Sequence, residues 1–187
     1  MRAFLAIELP DAVREAIESL IQRLRQSHAR VRWVKSQNMH LTIRFLGEIE
    51  PSGVDGLASC MQQACDTIEP FTLAIKGTGA FPNLRRPAVI WVGAECGQPG
   101  LIQCRHAADA AASAIGVSPE KQAFKPHLTL ARIPDPREGS RLFDAINAEH
   151  AFQGGAFQVD AVALFSSRLL PGGPVYQREH VFPLRRA

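Results

Sequence analysis

The chain lacks the usual signs of metal, disulfide or membrane chemistry. Its four cysteines, Cys60, Cys65, Cys96 and Cys104, form no CxxC pair and no metal-like spacing with histidine. Cys65 and Cys104 fall on apolar helical stripes, which predicts buried, inert thiols. No further His, Asp or Glu cluster accompanies the chain's short motifs at ligand spacing, which disfavours a zinc hydrolase, so no metal and no cofactor are expected. The apolar runs are far too short for a membrane span. The opening MRAFLAIELPD has the basic start and apolar run of a signal peptide but no small-residue cleavage site, and Glu8 arrives too early. It predicts a first buried strand; with short apolar runs and no sign of an oxidising compartment, no membrane partner and a cytoplasmic location are expected. There is no low-complexity segment and no linker, so residues 1–187 are expected to form a single domain. The net charge of +3 permits an anionic substrate without demanding one.

What is present is a repeated tripeptide. His40-Leu41-Thr42 opens the run HLTIRFLG, and His127-Leu128-Thr129 opens HLTLAR in the second half. Strand side chains alternate between two faces, so in each run His and Thr share one face while Leu and the next apolar residue share the other. Two such pairs facing each other would place an acid, a base and two hydroxyl donors around one small ligand. Imidazole can give and take protons near neutral pH. Threonine hydroxyls on stiff β-branched side chains suit the stabilisation of growing negative charge. The residues alone leave open which histidine is the acid.

The rest of the chain reads as mixed elements. A strand is predicted over Arg2–Leu9, then a helix capped by Asp11 with Val13, Ile17, Leu20, Ile21 and Leu24 on one stripe. Arg32–Val34 reads as extended and His40–Leu46 as a strand. Ser52 caps a second helix. Phe71–Ile75 and Ala88–Gly93 read as strands flanking a loop from Gly77 to Pro87, and a third helix spans about Leu101–Ile115. Phe124–Arg132 follows, with Pro126 suited to a strand start. A short helix at Arg141–Ala148 is capped by Ser140, and strands at Phe157–Phe165 and Tyr176–Leu184 flank the turn Pro171-Gly172-Gly173-Pro174.

Beyond the tripeptides, RAFLAIELP, VRWVKSQNMHLTIRFLGEI, FKPHLTLAR and LFSSRLLPGGPVY resemble, in order, successive segments of the 2H phosphoesterase superfamily, specifically the RNA 2′,3′-cyclic phosphodiesterases or 2′-5′ RNA ligases. The resemblance implies an α+β, bilobal fold: two antiparallel sheets, helices on their outer faces, a pseudo-two-fold duplication and a cleft between two intertwined lobes. It implies a metal-independent hydrolase that converts RNA 2′,3′-cyclic phosphate ends to 2′-phosphates, with reversible 2′-5′ ligation as a companion activity. By resemblance His40 is the proton donor and His127 the proton acceptor, with Thr42 and Thr129 beside them. The expected partners are RNA ends or small nucleotides, and the expected state is a monomer. Other 2′-linked or cyclic nucleotides, or non-catalytic RNA-end binding, are the competing readings; retention of both His and both Thr argues against the last.

Arg132 resembles the arginine after the second motif and is a candidate phosphate ligand. Strict alternation, however, places it on the face away from His127 and gives Arg44 the parity of His40. Phe4, Trp33, Phe124 and Tyr176 are candidates for base stacking, Phe4 and Tyr176 foremost. Arg85 and Arg86 in the 77–87 loop could touch an RNA backbone. His28, His106, His150 and His180 have no comparable context and are expected at the surface or in loops.

Overall fold

The computed structural model describes residues 1–97 and 99–185. The strands are β1 (Arg2–Glu8), β2 (Arg32–Trp33), β3 (His40–Glu48), β4 (Phe71–Phe81), β5 (Val89–Glu95), β6 (His127–Arg132), β7 (Gln153–Val159), β8 (Ala161–Leu170) and β9 (Gly173–Pro183). The helices are α1 (Asp11–Arg25), α2 (Val54–Cys65), α3 (Gly100–Ala114) and α4 (Pro136–Ala148). The strands form two antiparallel sheets, ordered β3-β1-β8-β9 and β2-β6-β5-β4-β7. The expected α+β bilobal architecture is present.

The helices are crossed between the lobes. α1 follows β1 of the first sheet yet packs with β7 and α4 on the second. α3 follows β5 of the second sheet yet packs with α2 and β3 on the first. Each helix presents one apolar stripe, so each can cover only one sheet face. Ile17, Leu20 and Leu24 of α1 and Leu142 and Ile146 of α4 belong to one contiguous core with the second sheet's Ile90, Val92, Leu128 and Leu130. The same core holds Leu57 and Met61 of α2, Leu101 and Cys104 of α3, and Leu5, Ile7, Leu41 and Ile43 of the first sheet. Burial pushes the Cys65 and Cys104 thiols up to about 11 and about 12, so both stay protonated at neutral pH.

Several boundaries differ from the sequence expectation. The 157–165 stretch is two strands in different sheets: β7 ends at Val159, and β8 starts at Ala161. Local alternation cannot show that a chain changes sheets at one residue. The helix expected from Arg141 begins at Pro136, because the Asp135 side chain accepts from Arg137 N–H at 3.0 Å and Pro136 fills the first turn. Asp11 and Ser52 are not caps: Asp11 is the first helical residue, and Ser52 lies in the 3-10 turn Pro51–Gly53 before α2. β4 runs on through Gly77, whose φ of +68 takes up a register shift in the ladder, so the loop starts only after Phe81.

The crossed helices make α1 a structural tie. Ile17→Ala should lower stability by about 2–5 kcal/mol, the usual cost of emptying a fully buried site. Glu15→Ala, on the exposed face, should change it by less than ~0.5 kcal/mol. Urea unfolding of both variants measures this; equal midpoints would contradict it.

Candidate active site

Both tripeptides open a strand, and both strands show the same burial sequence. In β3, His40 and Thr42 are half-exposed and Leu41 and Ile43 buried. In β6, His127 and Thr129 are half-exposed and Leu128 and Leu130 buried. β3 and β6 contact each other where the two sheets meet. The short β2 pairs with β6 and leads through the turn Ser36–Asn38 into β3, so one connection ties the two motifs. Arg14 of α1 fixes that turn: its guanidinium donates to Ser36 O at 2.8 Å, Met39 O at 3.0 Å and Leu9 O at 3.1 Å.

Each motif strand carries a β-bulge at the same position. Leu5 and Ala6 of β1 are consecutive, but their partners Arg44 and Thr42 skip Ile43. Ile90 and Trp91 of β5 are consecutive, but their partners Ala131 and Thr129 skip Leu130. An extra residue reverses the alternation beyond it. Arg132 therefore returns to the face of His127 and Thr129, contrary to strict alternation. Arg44 turns the other way, into the core opposite Leu5, and is only 2% exposed. Phe45 takes in the first motif the place that Arg132 takes in the second.

The His40 ring rests on Phe4, with centroids 4.5 Å apart and planes at 23°. Tyr176 meets it edge-on at 5.2 Å, and Phe165 stacks beside both rings, 5.4 Å from Phe4 and 6.2 Å from His40. Phe4 is 3% exposed, so it is the floor beneath His40, whereas Tyr176 is half-exposed. Burial among these rings pushes the His40 pKa down to about 4. A backbone hydrogen bond with Asn38 opposes the shift, and the Arg14 charge adds to it. Burial also raises the pKa of the Tyr176 hydroxyl, opposed by Arg132 and Arg2. Arg132 of the second sheet is thus within electrostatic reach of Tyr176 on the first.

His127 is held differently. Its Nδ1 lies 2.7 Å from Lys125 O. A carbonyl oxygen only accepts, so Nδ1 carries the proton and a neutral ring keeps its lone pair on Nε2. Phe81 meets the ring edge-on at 4.9 Å, and Lys125 Nζ lies 5.9 Å from the Phe81 centroid. Trp91, opposite Thr129, lies flat over Gly79, where any Cβ would collide with the indole. Sequence reasoning missed Phe81, Trp91, Phe165 and Lys125. Only Lys125 lies beside a motif in the sequence; the three aromatic residues are distant from both and reach the site through strand pairing, which no local signal shows.

The other candidates lie elsewhere. Trp33 lies under the Arg25 guanidinium, 5.7 Å from its carbon, and Phe124 lies 5.2 Å from that of Arg105. Arg85 and Arg86 are exposed, and their backbone N–H groups donate to Asn83 Oδ1 at 3.0 Å. His28, His106, His150 and His180 are all exposed, His28 just after α1. Among the described residues no group of three or more His, Cys, Asp or Glu could hold a metal ion, and no helix is long and apolar enough to cross a membrane.

Comparison with known proteins shows the same duplication of the chain. The family model "LigT like Phosphoesterase" matches twice, over residues 7–91 and 92–176, with one HLT motif in each match. The RNA 2′,3′-cyclic phosphodiesterase of Methanothermobacter thermautotrophicus is 30% identical over 184 residues, covering 98% of this chain and 99% of that protein. The protein of the same name from Thermus thermophilus is 31% identical over 195 residues, covering 99% and 91%. Among solved structures, TT0787 of Thermus thermophilus aligns with a TM-score of 0.82 at 30% identity, covering 99% of this chain and 98% of that one. E. coli LigT complexed with 3′-AMP aligns at 0.75 and 27% identity with the same coverage. Two family-model matches that together span residues 7–176, with relatives of 30% and 31% identity over nearly the whole chain, make this chain a member of the LigT-like phosphoesterase family of the 2H superfamily.

Proposed function

We propose that the protein is a cytoplasmic, monomeric, metal-independent phosphodiesterase. It hydrolyses RNA 2′,3′-cyclic phosphate ends to 2′-phosphates. The observation that carries this reading is the matched pair of half-exposed His and Thr residues on equivalent bulged strands of the two lobes. The names and full-length coverage of the relatives support the substrate class.

In this reading His127 is the base. Its Nε2 removes a proton from water as the oxygen attacks phosphorus. The P–O3′ bond breaks, and His40 gives its proton to the departing O3′. Thr42 and Thr129 donate to the non-bridging oxygens as charge grows there. Arg132 and Tyr176 contact the nucleotide, and Phe4 acts from beneath the His40 ring. Ligation is the same step with a ribose 5′ hydroxyl attacking in place of water.

A proton donor must be charged before it acts, and free His40 is neutral at pH 7. The substrate supplies the missing term. A phosphate anion beside the ring favours the imidazolium and offsets the burial that disfavours it. Binding therefore arms the acid. A second reading, action on other 2′-linked or cyclic nucleotides, draws on the solved E. coli relative complexed with 3′-AMP.

Three outcomes are expected. His127→Ala or His40→Ala should lower kcat by about 10²–10⁴, while EDTA leaves the wild-type rate unchanged; a fully active variant, or loss of activity on chelation, rules the mechanism out. Titrated by NMR, the free His40 ring should show a pKa near 4 that rises on adding inorganic phosphate; an unchanged value would remove its role as acid. Digestion of a cyclic-ended dinucleotide should leave the 2′-phosphate by chromatography against both monophosphate standards, and a dominant 3′-phosphate would reverse the ribose in the cleft while keeping both histidines.

A further inference from the structure

Behind the first sheet, on the side away from the cleft, two buried arginines meet two carboxylates whose side chains stay partly exposed, Asp109 at 40% and Glu120 at 31%. Arg44, on the β3 bulge, is 2% exposed, and Arg105, on α3, is 8% exposed. Arg105 donates to Ile43 O at 2.8 Å, to Glu120 Oε2 at 2.8 Å and to Asp109 Oδ2 at 2.7 Å. Arg44 donates to Ser118 O at 2.6 Å; its Nη1 lies 3.3 Å from Glu120 Oε1 and its Nε 3.0 Å from Asp109 Oδ1. Two buried guanidiniums face two carboxylates at the solvent edge, so each buried positive charge has negative partners.

The places it joins set it apart from an ordinary core ion pair. Ile43 and Arg44 directly follow Thr42. Ser118, Glu120 and Phe124 belong to the irregular stretch 117–126, which has no helix or strand and ends at His127. The same stretch supplies the Lys125 carbonyl that orients the His127 ring. Backbone bonds hold only its two ends, Val117 N–H to Ala112 O at 2.9 Å and Ala94 N–H to Pro126 O at 3.2 Å, and side chains hold the middle. Both guanidiniums grip it, and the Arg105 group also holds the Ile43 carbonyl, whose residue the bulge leaves without a cross-strand partner. A lysine ammonium lacks the planar fork that serves three such partners at once.

We propose that Arg44, Arg105 and Glu120 are positioning residues that set the separation of His40 and His127. The inference rests on the two-histidine reading above. One network fixes the strand behind the first histidine and the approach to the second. In-line chemistry depends on that separation, and a misplacement of about 1 Å can cost ~10²-fold in rate. The network touches neither the cleft nor its ligand groups, so its loss should fall on kcat.

The test compares Glu120→Gln, Arg105→Lys and Arg105→Ala with wild type and with His127→Ala. Thermal unfolding is measured for each, with kcat and KM on a 2′,3′-cyclic-phosphate dinucleotide. Glu120→Gln and Arg105→Lys should fold cooperatively and lose about 10–100-fold in kcat, with KM within about twofold. Arg105→Ala should lose more; if it does not fold, the two milder variants decide. Folded Glu120→Gln and Arg105→Lys with wild-type kcat would overturn the inference, as would a rate loss that only tracks the unfolded fraction. An active His127→Ala would instead overturn the two-histidine reading itself.

Discussion

The site depends on one backbone irregularity, the β-bulge that follows each HLT tripeptide. A regular strand can offer the cleft only every second residue, so after His and Thr the next contribution falls on Arg44 in one motif and Ala131 in the other. One inserted residue moves it on to Phe45 and Arg132. The insertion leaves Ile43 and Leu130 without ladder partners, and a buried carbonyl must find a donor elsewhere. Leu130 O accepts from Val34 N–H at 2.8 Å, because β6 is an inner strand with β2 at its side. Ile43 O has no such neighbour, because β3 is an edge strand, and Arg105 reaches across from α3 instead. The two lobes thus meet one requirement in two ways.

That difference makes the duplicated site asymmetric. The His40 side is lined by Phe4, Phe165 and Tyr176, and burial there disfavours a charged imidazole. The His127 side has a carbonyl that fixes the tautomer and an arginine where the other motif has phenylalanine. Opposite protonation states in one site need such unequal surroundings. Two identical half-sites would push both rings the same way.

The crossed helices hold the halves together. α1 packs on the second sheet, while its Arg14 clamps the turn that delivers His40 to the first. α3 packs on the first sheet, while its Arg105 holds the stretch that delivers His127 to the second. Each histidine is therefore set by contacts to a helix from the other half of the fold.

The two His/Thr pairs, their shared face, the α1 stripe and the order of most elements are legible in the amino-acid order alone. Each follows from a period of two or of 3.6 within a few residues, and such periods are local. Local rules failed at Arg44 and Arg132, whose faces they exchanged, at Asp160, where the chain changes sheets, and at the start of α4. A bulge is a relation between two strands, and its stability depends on a donor 62 positions away in the case of Ile43 and Arg105. Long-range packing decides which carbonyl that guanidinium meets, which aromatic rings close on His40, and hence which residues after each tripeptide face the cleft.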